Sequence, residues 1–579
     1  MADPLRNIED LLRPAFAQVA GGDVDVDPVV RPSEHADAQA NGALALAKRL
    51  GRNPREVAQA VVDAAGGLAA VCSGVEIAGP GFLNLTFDDA FLAAQLASSA
   101  ADERLGVTAP ARALTVVVDY SAPNVAKEIH VGHLRTTVIG DALVRLLGFV
   151  GHRVIRENHI GDWGTPFGML IEHLVDIGEA EAAQHLSLGD LDAFYKHARA
   201  AFDASDELRE RSRQRVVALQ AGDPETLRLW NLLVEVSAAH FNTVYDRLGV
   251  LLNDGDLMGE SAYNDLLPEV IRRLDELGML QQSAGADVVF VPGYTNREGD
   301  PLPLIVQKGT GGFNYATSDL ACVIDRVERL HADLLLYVVG APQAQHLQMV
   351  FDVARLAGWL RPPVEAVHVP FGNVLGSDRK MLKSRSGEPM KFADLLSEAV
   401  VRARAAVEEK NPALSDAQAA EVARMVGIGA VKYADLSTDR IKDYVFDWDR
   451  MLSFDGNTAP YLQYAHARIC SIFRRAGVDR ASVRAVTPQI AAPEERQLAL
   501  ALLGFDAAVQ DTLERYSPHR LCGYLYDLAT DFTAFYEHCP VLKAGHEATR
   551  ESRLALCDLT ARVLETGLGL LGIEAPEQM

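Results

Sequence analysis

Two short stretches concentrate residues that core packing does not call for. The first, SAPNVAKEIHVGHLRTTVIGD (121–141), sets a Pro, an Asn, a Lys and two histidines between an apolar strand-like run and a helix-like one. His130 and His133 stand three apart at the start of that predicted helix, with Gly132 between them. A helix N-terminus presents free N–H groups and partial positive charge, so it attracts phosphate. Two imidazoles one turn apart could donate hydrogen bonds to one triphosphate, and Gly132 lets a nucleotide approach the backbone closely. The second stretch, GSDRKMLKSRSGEP (376–389), carries Lys380, Lys383 and Arg385 in a loop rich in Gly and Ser. Taken singly, an H-x-G-H is a weak signal and a basic run is an ordinary solvated loop.

For the two stretches to act on one nucleotide, the fold has to bring them together. LTVVVDY (114–120) reads as a buried strand, HLRTTVIGDALVRLLGFVG as a helix and HRVIREN as a second strand. This βαβ order implies a parallel sheet with ligand at the carboxyl end of its first strand. Residues from about 178 to 245 are mostly charged helix and suggest an insertion. ADVVFVPG, PLIVQKG, DLLLYVVG and VEAVHVPFGNVLG then complete the sheet and its elaborations. After about Gly387 strand patterns vanish. In LCGYLYDLATDFTAFYEHC, Leu525, Leu528, Phe532 and Phe535 fall on one helix face, which reads as the core of a helical bundle. Ahead of the sheet, residues 1 to about 110 alternate helical and strand signals. NGALALAKRLGRNPREVAQAVVDAA is helical, VEIAGPGFLNLTF gives two short strands around Pro80-Gly81, and DERLGVTAPARA reads as a linker.

The bulk numbers suit this division. A chain of 579 residues predicts about three or four domains. Hydrophobic content of 49% and charged content of 23% describe a normal globular protein. The longest apolar runs fall far short of the roughly 20 residues of a membrane span, and MADPLRNIEDLL carries acids where a secretory signal would be basic and apolar. A cytoplasmic protein is expected. The six cysteines are scattered without a C-x-x-C pair, so neither a disulfide framework nor a zinc site is indicated. The net charge of −24 argues against a broadly basic nucleic-acid surface but leaves room for a local basic groove, because phosphates respond to charge within roughly 8 Å.

K-M-L-K-S, far downstream of H-V-G-H on an α/β pattern, differs at one residue from the K-M-S-K-S signature of class I aminoacyl-tRNA synthetases. The resemblance then becomes specific. SAPNVAKEIHVGHLR, NHIGDWGTPFGMLI, LIVQKG, VGIGAVKYADLS and YLQYAHARI all look like arginyl-tRNA synthetase, and the likeness runs from NGALALAK and GPGFLNLTF to FYEHCPVL. Two departures stand out: Val131 replaces the Ile of the class signature, and Pro342 precedes the pocket glutamine. The almost complete K-M-L-K-S contrasts with the eroded form of many arginyl enzymes.

The resemblance implies an α/β fold with a Rossmann-type parallel-sheet catalytic domain, an N-terminal α+β domain and a C-terminal all-α helical bundle. The expected division is 1–110, contacting the tRNA elbow; 111–387, catalytic; 388–450, a helical connector; and 451–579, anticodon-binding. Carried over residue by residue, Asn124 and His130 hold the amino acid's ammonium and carboxylate ends and the nucleotide. Tyr315, Asp319 and Gln343 match the side-chain pocket, and Asp119 resembles the acid that faces the guanidinium. Such a planar cation with five donors needs carboxylate and amide acceptors around it, a set that the point charge of lysine cannot satisfy. Phe82 and Asn84 match the aromatic and amide that contact the D-loop.

The implied reaction is two-step esterification of tRNA(Arg) by L-arginine and Mg-ATP, with tRNA required before activation. His130, Gly132 and His133 would bind ATP, and Lys380 and Lys383 would close over the pyrophosphate. Magnesium would travel with ATP, with no resident metal. No membrane contact is implied, and the chain is expected to be a monomer. A specialised arginyl paralogue and a non-catalytic tRNA-binding module remain as alternatives, with a small-molecule nucleotidyltransferase behind them.

Overall fold

The computed structural model describes residues 3–22, 24–178, 191–309, 311–382 and 390–579. Its first part is a four-stranded antiparallel sheet in the order Val30–Pro32, Ala38–Ala40, Phe82–Phe87, Cys72–Ala78. Alternation along FLNLTF sends Leu83, Leu85 and Phe87 into the core and leaves Phe82, Asn84 and Thr86 on the other face. The predicted helical run over 41–65 is two helices, Gly42–Leu50 and Pro54–Ala64. Gly51, at φ 63°, stops the first, and Asn53 caps the second.

The centre of the molecule is a four-stranded parallel sheet ordered Glu365–His368, Leu334–Tyr337, Thr115–Asp119, Arg153–Glu157. All three predicted strands of LTVVVDY, HRVIREN and DLLLYVVG lie in it. Register aligns Tyr337, Asp119 and Glu157 side by side at the carboxyl ends. The helix Leu134–Val150 crosses back over the sheet, approaching so closely that a Cβ on Gly140 would lie 2.4 Å from Tyr120. Ala286–Thr295 and Pro301–Gln307 do not extend this sheet. They form a separate antiparallel sheet with Gln281–Ser283.

The described part of the insertion is helical: Leu191–Ala204, Asp206–Gln220 and Pro224–Leu248. Residues 179–190, within the region read as insertion, lie outside the described residues. Downstream, helices Phe392–Lys410, Asp416–Leu436, Ala459–Ala476, His519–His538 and Glu547–Leu570 dominate, and Leu525, Leu528, Phe532 and Phe535 are buried as expected. The expectation that strands end near Gly387 needs one correction. Tyr444–Val445 pairs in parallel with Val374–Leu375 as a separate two-stranded sheet, formed where the chain between helices runs back beside the start of the basic loop.

The segment read as a linker, 102–113, has no regular structure, yet it is fastened down. Thr108 donates through both N–H and Oγ1 to the carboxylate of Asp506, each at 3.0 Å. Arg496 reaches Asp37 and the Phe87 carbonyl, and Arg562 reaches the Ala100 carbonyl. The N-terminal part therefore rests on the C-terminal helices. All six cysteines are buried and unbridged. Among the described residues no helix is long and apolar enough to cross a membrane.

Candidate active site

Beyond Asp119 the chain enters the loop that carries Asn124, His130, Gly132 and His133, and its shape is held from outside. Ser121 and Ala122 take left-handed backbone, at φ 74° and 48°, a conformation costing on the order of 1–3 kcal/mol per residue. Their N–H groups donate to Thr136 Oγ1 and Asn158 Oδ1, both at 3.0 Å. Ala126, also left-handed, donates to Ser237 of the insertion at 2.9 Å. Asn124 bridges in parallel to Gly161, and a Cβ there would meet Asn124 Oδ1 at 2.4 Å, so the glycine makes room for the amide.

The loop ends in the turn Val131–His133, a tight 3₁₀ turn leading into the helix from Leu134. Here the expectation of free N–H groups fails. Val131 N–H donates to the Met390 carbonyl, Gly132 N–H to His130 Nδ1, His133 N–H to the His130 carbonyl and Leu134 N–H to the Val131 carbonyl. The physical consequence lies in the rings. His130 Nδ1 accepts from Gly132 at 3.0 Å, and His133 Nδ1 faces the His130 N–H at 3.4 Å, so each neutral imidazole carries its proton on Nε2. Burial lowers His130 from its ordinary value; burial and the neighbouring His130 bring His133 down to about 4. The pair, with ring centres 4.2 Å apart, therefore offers two neutral Nε2–H donors near pH 7.

The described start of the basic loop, Met381 and Leu382, lies beside this turn, and the chain is tied on either side of the loop. Where it begins, Val374–Leu375 is zipped to Tyr444–Val445. A tight turn follows, in which Gly376 N–H reaches the Lys380 carbonyl at 2.7 Å. Where it ends, Lys391 bridges to His130 and Phe392 N–H donates to the Ile129 carbonyl. Lys380 is exposed and its N–H is held by Asp378 at 3.0 Å. Lys383 and Arg385 lie outside the described residues. Between turn and loop is a cavity of about 80 Å³, lined by Gly132, Arg135, Phe371, Asn373, Met381 and others. Arg135, which sequence reading passed over, is buried against Asp435 at 3.2 Å and donates to the Lys442 carbonyl.

The side-chain pocket residues come from two adjacent helices. Tyr315, more than half exposed, opens the helix Tyr315–Glu328, and Asp319 lies one turn on. Gln343 ends the turn Ala341–Gln343 and is exposed; one turn later His346 hydrogen-bonds Asp319, Nε2 to Oδ2 at 2.5 Å, with its ring 4.6 Å from that of Tyr315. Asp119 is deeper, and its setting differs from the expectation that it simply faces a ligand. Oδ2 accepts from Arg326 Nη2 at 2.7 Å, and Arg326 Nε reaches Glu157 at 2.6 Å. Arg326 is fully buried and sits over the Tyr337 ring. A protein guanidinium thus already occupies one oxygen of Asp119. Neither Arg326 nor His346 has a local sequence signal, since each acts on a partner from a distant segment or the next helix.

Phe82 and Asn84 share the outer face of the N-terminal sheet. Phe82 is half-buried, and Asn84 is nearly buried, its Oδ1 accepting from Gln39 at 2.7 Å. Among the C-terminal helices, a groove of about 770 Å³ is lined by Arg468, Arg474, Arg475, Lys543, Tyr464 and Tyr536, among others. Arg468 lies 4.1 Å over the ring of Tyr536. This is the local basic, aromatic surface that the net charge left possible.

Comparison with known proteins finds matches along nearly the whole chain. Family models described as tRNA synthetases class I (R), catalytic domain; DALR anticodon binding domain; and Arginyl tRNA synthetase N terminal domain match residues 95–448, 462–579 and 6–87. An arginine–tRNA ligase of Thermobifida fusca is 56% identical over 100% of both chains, and one of Klebsiella pneumoniae (strain 342) is 49% identical over 99% of this chain and 100% of its own. The solved arginyl-tRNA synthetase of Plasmodium falciparum superposes with a TM-score of 0.85 at 26% identity, covering 99% of each chain. That of Thermus thermophilus gives 0.80 at 28%, covering 99% of this chain and 100% of its own.

Proposed function

The chain belongs to the arginyl-tRNA synthetase family of class I synthetases, and from that membership we infer that it is an arginine–tRNA ligase. The arginine carboxylate attacks the α-phosphate of ATP, pyrophosphate leaves, and the arginyl group passes from adenylate to the terminal ribose of tRNA(Arg). Both nucleophiles belong to substrates, so positioning and charge stabilisation supply the rate enhancement. ATP is the co-substrate, and magnesium enters with it.

The observation that carries the site assignment is that the H-V-G-H turn lies beside the start of the basic loop and that Lys391, just past the loop, is paired to His130 itself. Two Nε2–H donors would steady the triphosphate while Lys380 and Lys383 neutralise the departing pyrophosphate. Neutral imidazoles suit this role, because they donate without repelling the magnesium that accompanies ATP. The arginine side chain would lie against Tyr315, Asp319 and Gln343, with Asp119 below and Asn124 toward its α-amino end. Residues 1–110 and 451–579 are assigned as tRNA-contacting domains: Phe82 and Asn84 toward the elbow, the basic groove toward the anticodon loop. For the C-terminal groove the assignment rests on Arg468, Arg474, Arg475 and Lys543 lining one surface with Tyr464 and Tyr536, a setting in which single-stranded bases stack; for Phe82 and Asn84 it rests on the family resemblance.

Charging of a tRNA(Arg) transcript with labelled arginine tests the activity. Stable arginyl ester is expected. Adenylate formation, followed separately by pyrophosphate exchange, is expected only with tRNA present; fast exchange in tRNA-free solution would contradict that requirement.

A further inference from the structure

We propose that His346 is a positioning residue for arginine recognition, fixing which oxygen of Asp319 faces the incoming guanidinium. The inference rests on Tyr315, Asp319 and Gln343 bounding the arginine side chain, and it adds a residue outside that set.

A partly exposed aspartate rotates broadly about its terminal bond, whereas a guanidinium fork binds a carboxylate well only in the right plane. His346 removes that freedom. A carboxylate oxygen accepts, so the Nε2 at 2.5 Å carries the proton, and Oδ2 is committed to it. Oδ1 is then left in a fixed plane for a ligand. The same ring lies 4.6 Å from that of Tyr315, so one imidazole supports two pocket walls. It follows Gln343 by three residues on a continuous helical path, which puts both side chains on one face. Asp119 repeats the device at depth, where Arg326 holds its Oδ2. In both carboxylates a protein donor occupies one oxygen and thereby aims the other.

Two substitutions separate the hydrogen bond from the ring. His346→Phe keeps an aromatic ring beside Tyr315 and loses the donor. His346→Gln keeps an N–H of similar reach and loses the ring. In pyrophosphate exchange with tRNA present, His346→Phe is expected to raise KM for arginine about tenfold, leaving KM for ATP and kcat within about twofold. His346→Gln is expected to return KM for arginine to within about threefold of native. A native KM for arginine in His346→Phe, or a His346→Gln no better than it, overturns the inference. Asp319→Asn, measured alongside, keeps the two levels apart. If it leaves KM for arginine unchanged, the pocket reading itself falls; if it is impaired while His346→Phe is native, only the role of His346 falls. Circular dichroism and thermal melting of each variant identify any that fail to fold, and for those His346→Asn replaces His346→Gln as the donor-retaining test.

Discussion

At the turn proposed to hold the nucleotide, His130 and His133 take their tautomers from backbone N–H groups within four residues of each other. Among the residues proposed to hold arginine, Asp319 is bonded by His346 and Asp119 by Arg326, side chains that arrive from other turns and other elements. The difference separates two ways of preparing a site. A phosphate site can be written into one turn, because what it needs is donors at a fixed spacing. A guanidinium site needs acceptors spread around a planar cation, and each acceptor then needs its own support.

The comparison breaks most visibly at Arg326. This fully buried cation lies between Asp119 and Glu157, so Arg326→Met removes the charge that both carboxylates are paired with. Denaturant unfolding should show a loss of about 3–5 kcal/mol. A loss within experimental error would mean that the paired carboxylates do not depend on it.

On the nucleotide side the effect should appear in rate instead. His133→Ala removes one Nε2–H donor, and by analogy with loss of an oxyanion-hole donor it should lower kcat by about 10²–10³, some 2.7–4 kcal/mol. Single-turnover adenylate formation with saturating arginine and tRNA isolates that step. An unchanged kcat with a raised KM for ATP would make the turn a ground-state binding element only.

This contrast also explains how much was legible in the sequence. HVGH and KMLKS were readable as motifs because each is contiguous in the chain, and the strand at 114–120 was readable because a buried parallel strand is a continuous apolar run. The loss of the Val131 N–H to the Met390 carbonyl was not, since that partner arrives from a segment about 260 residues downstream. The partners of Asp119 and Asp319 were invisible for a similar reason: a carboxylate at a strand end or in a helix looks the same whether its neighbour is solvent, ligand or Arg326. Asn84 shows the limit as well, because only strand pairing places Gln39 beside it.

Farther from the chemistry, smaller effects are expected. Phe82→Ala with Asn84→Ala should raise KM for tRNA by an amount on the order of 1 kcal/mol per lost contact, with KM for ATP unchanged. Native tRNA kinetics in the folded double variant would remove the outer face of the N-terminal sheet from the tRNA path.

The smallest effect belongs to pH. Burial and His130 hold His133 down to about 4, whereas an unfolded imidazole titrates near 6.5. As pH falls, the unfolded chain gains its proton first, so acid withdraws stability between about pH 6.5 and 4, and nothing is lost above that window. Nitrogen-edited NMR should find His133 neutral, protonated on Nε2, down to pH 5 (about one unit above its titration). A midpoint near 6.5 would remove the argument for a fixed tautomer.

The central claim is that the cleft selects a guanidinium through acceptors that a lysine would leave unpaired. It is tested most directly by the ratio of kcat/KM for arginine over lysine in tRNA-supported pyrophosphate exchange, for the native chain and for Asp319→Asn. The account predicts strong preference for arginine in the native chain, and a drop of about 1–3 kcal/mol in the arginine value on substitution, with the lysine value nearly unmoved. Equal use of lysine by the native chain, or an arginine preference untouched by Asp319→Asn, would contradict it.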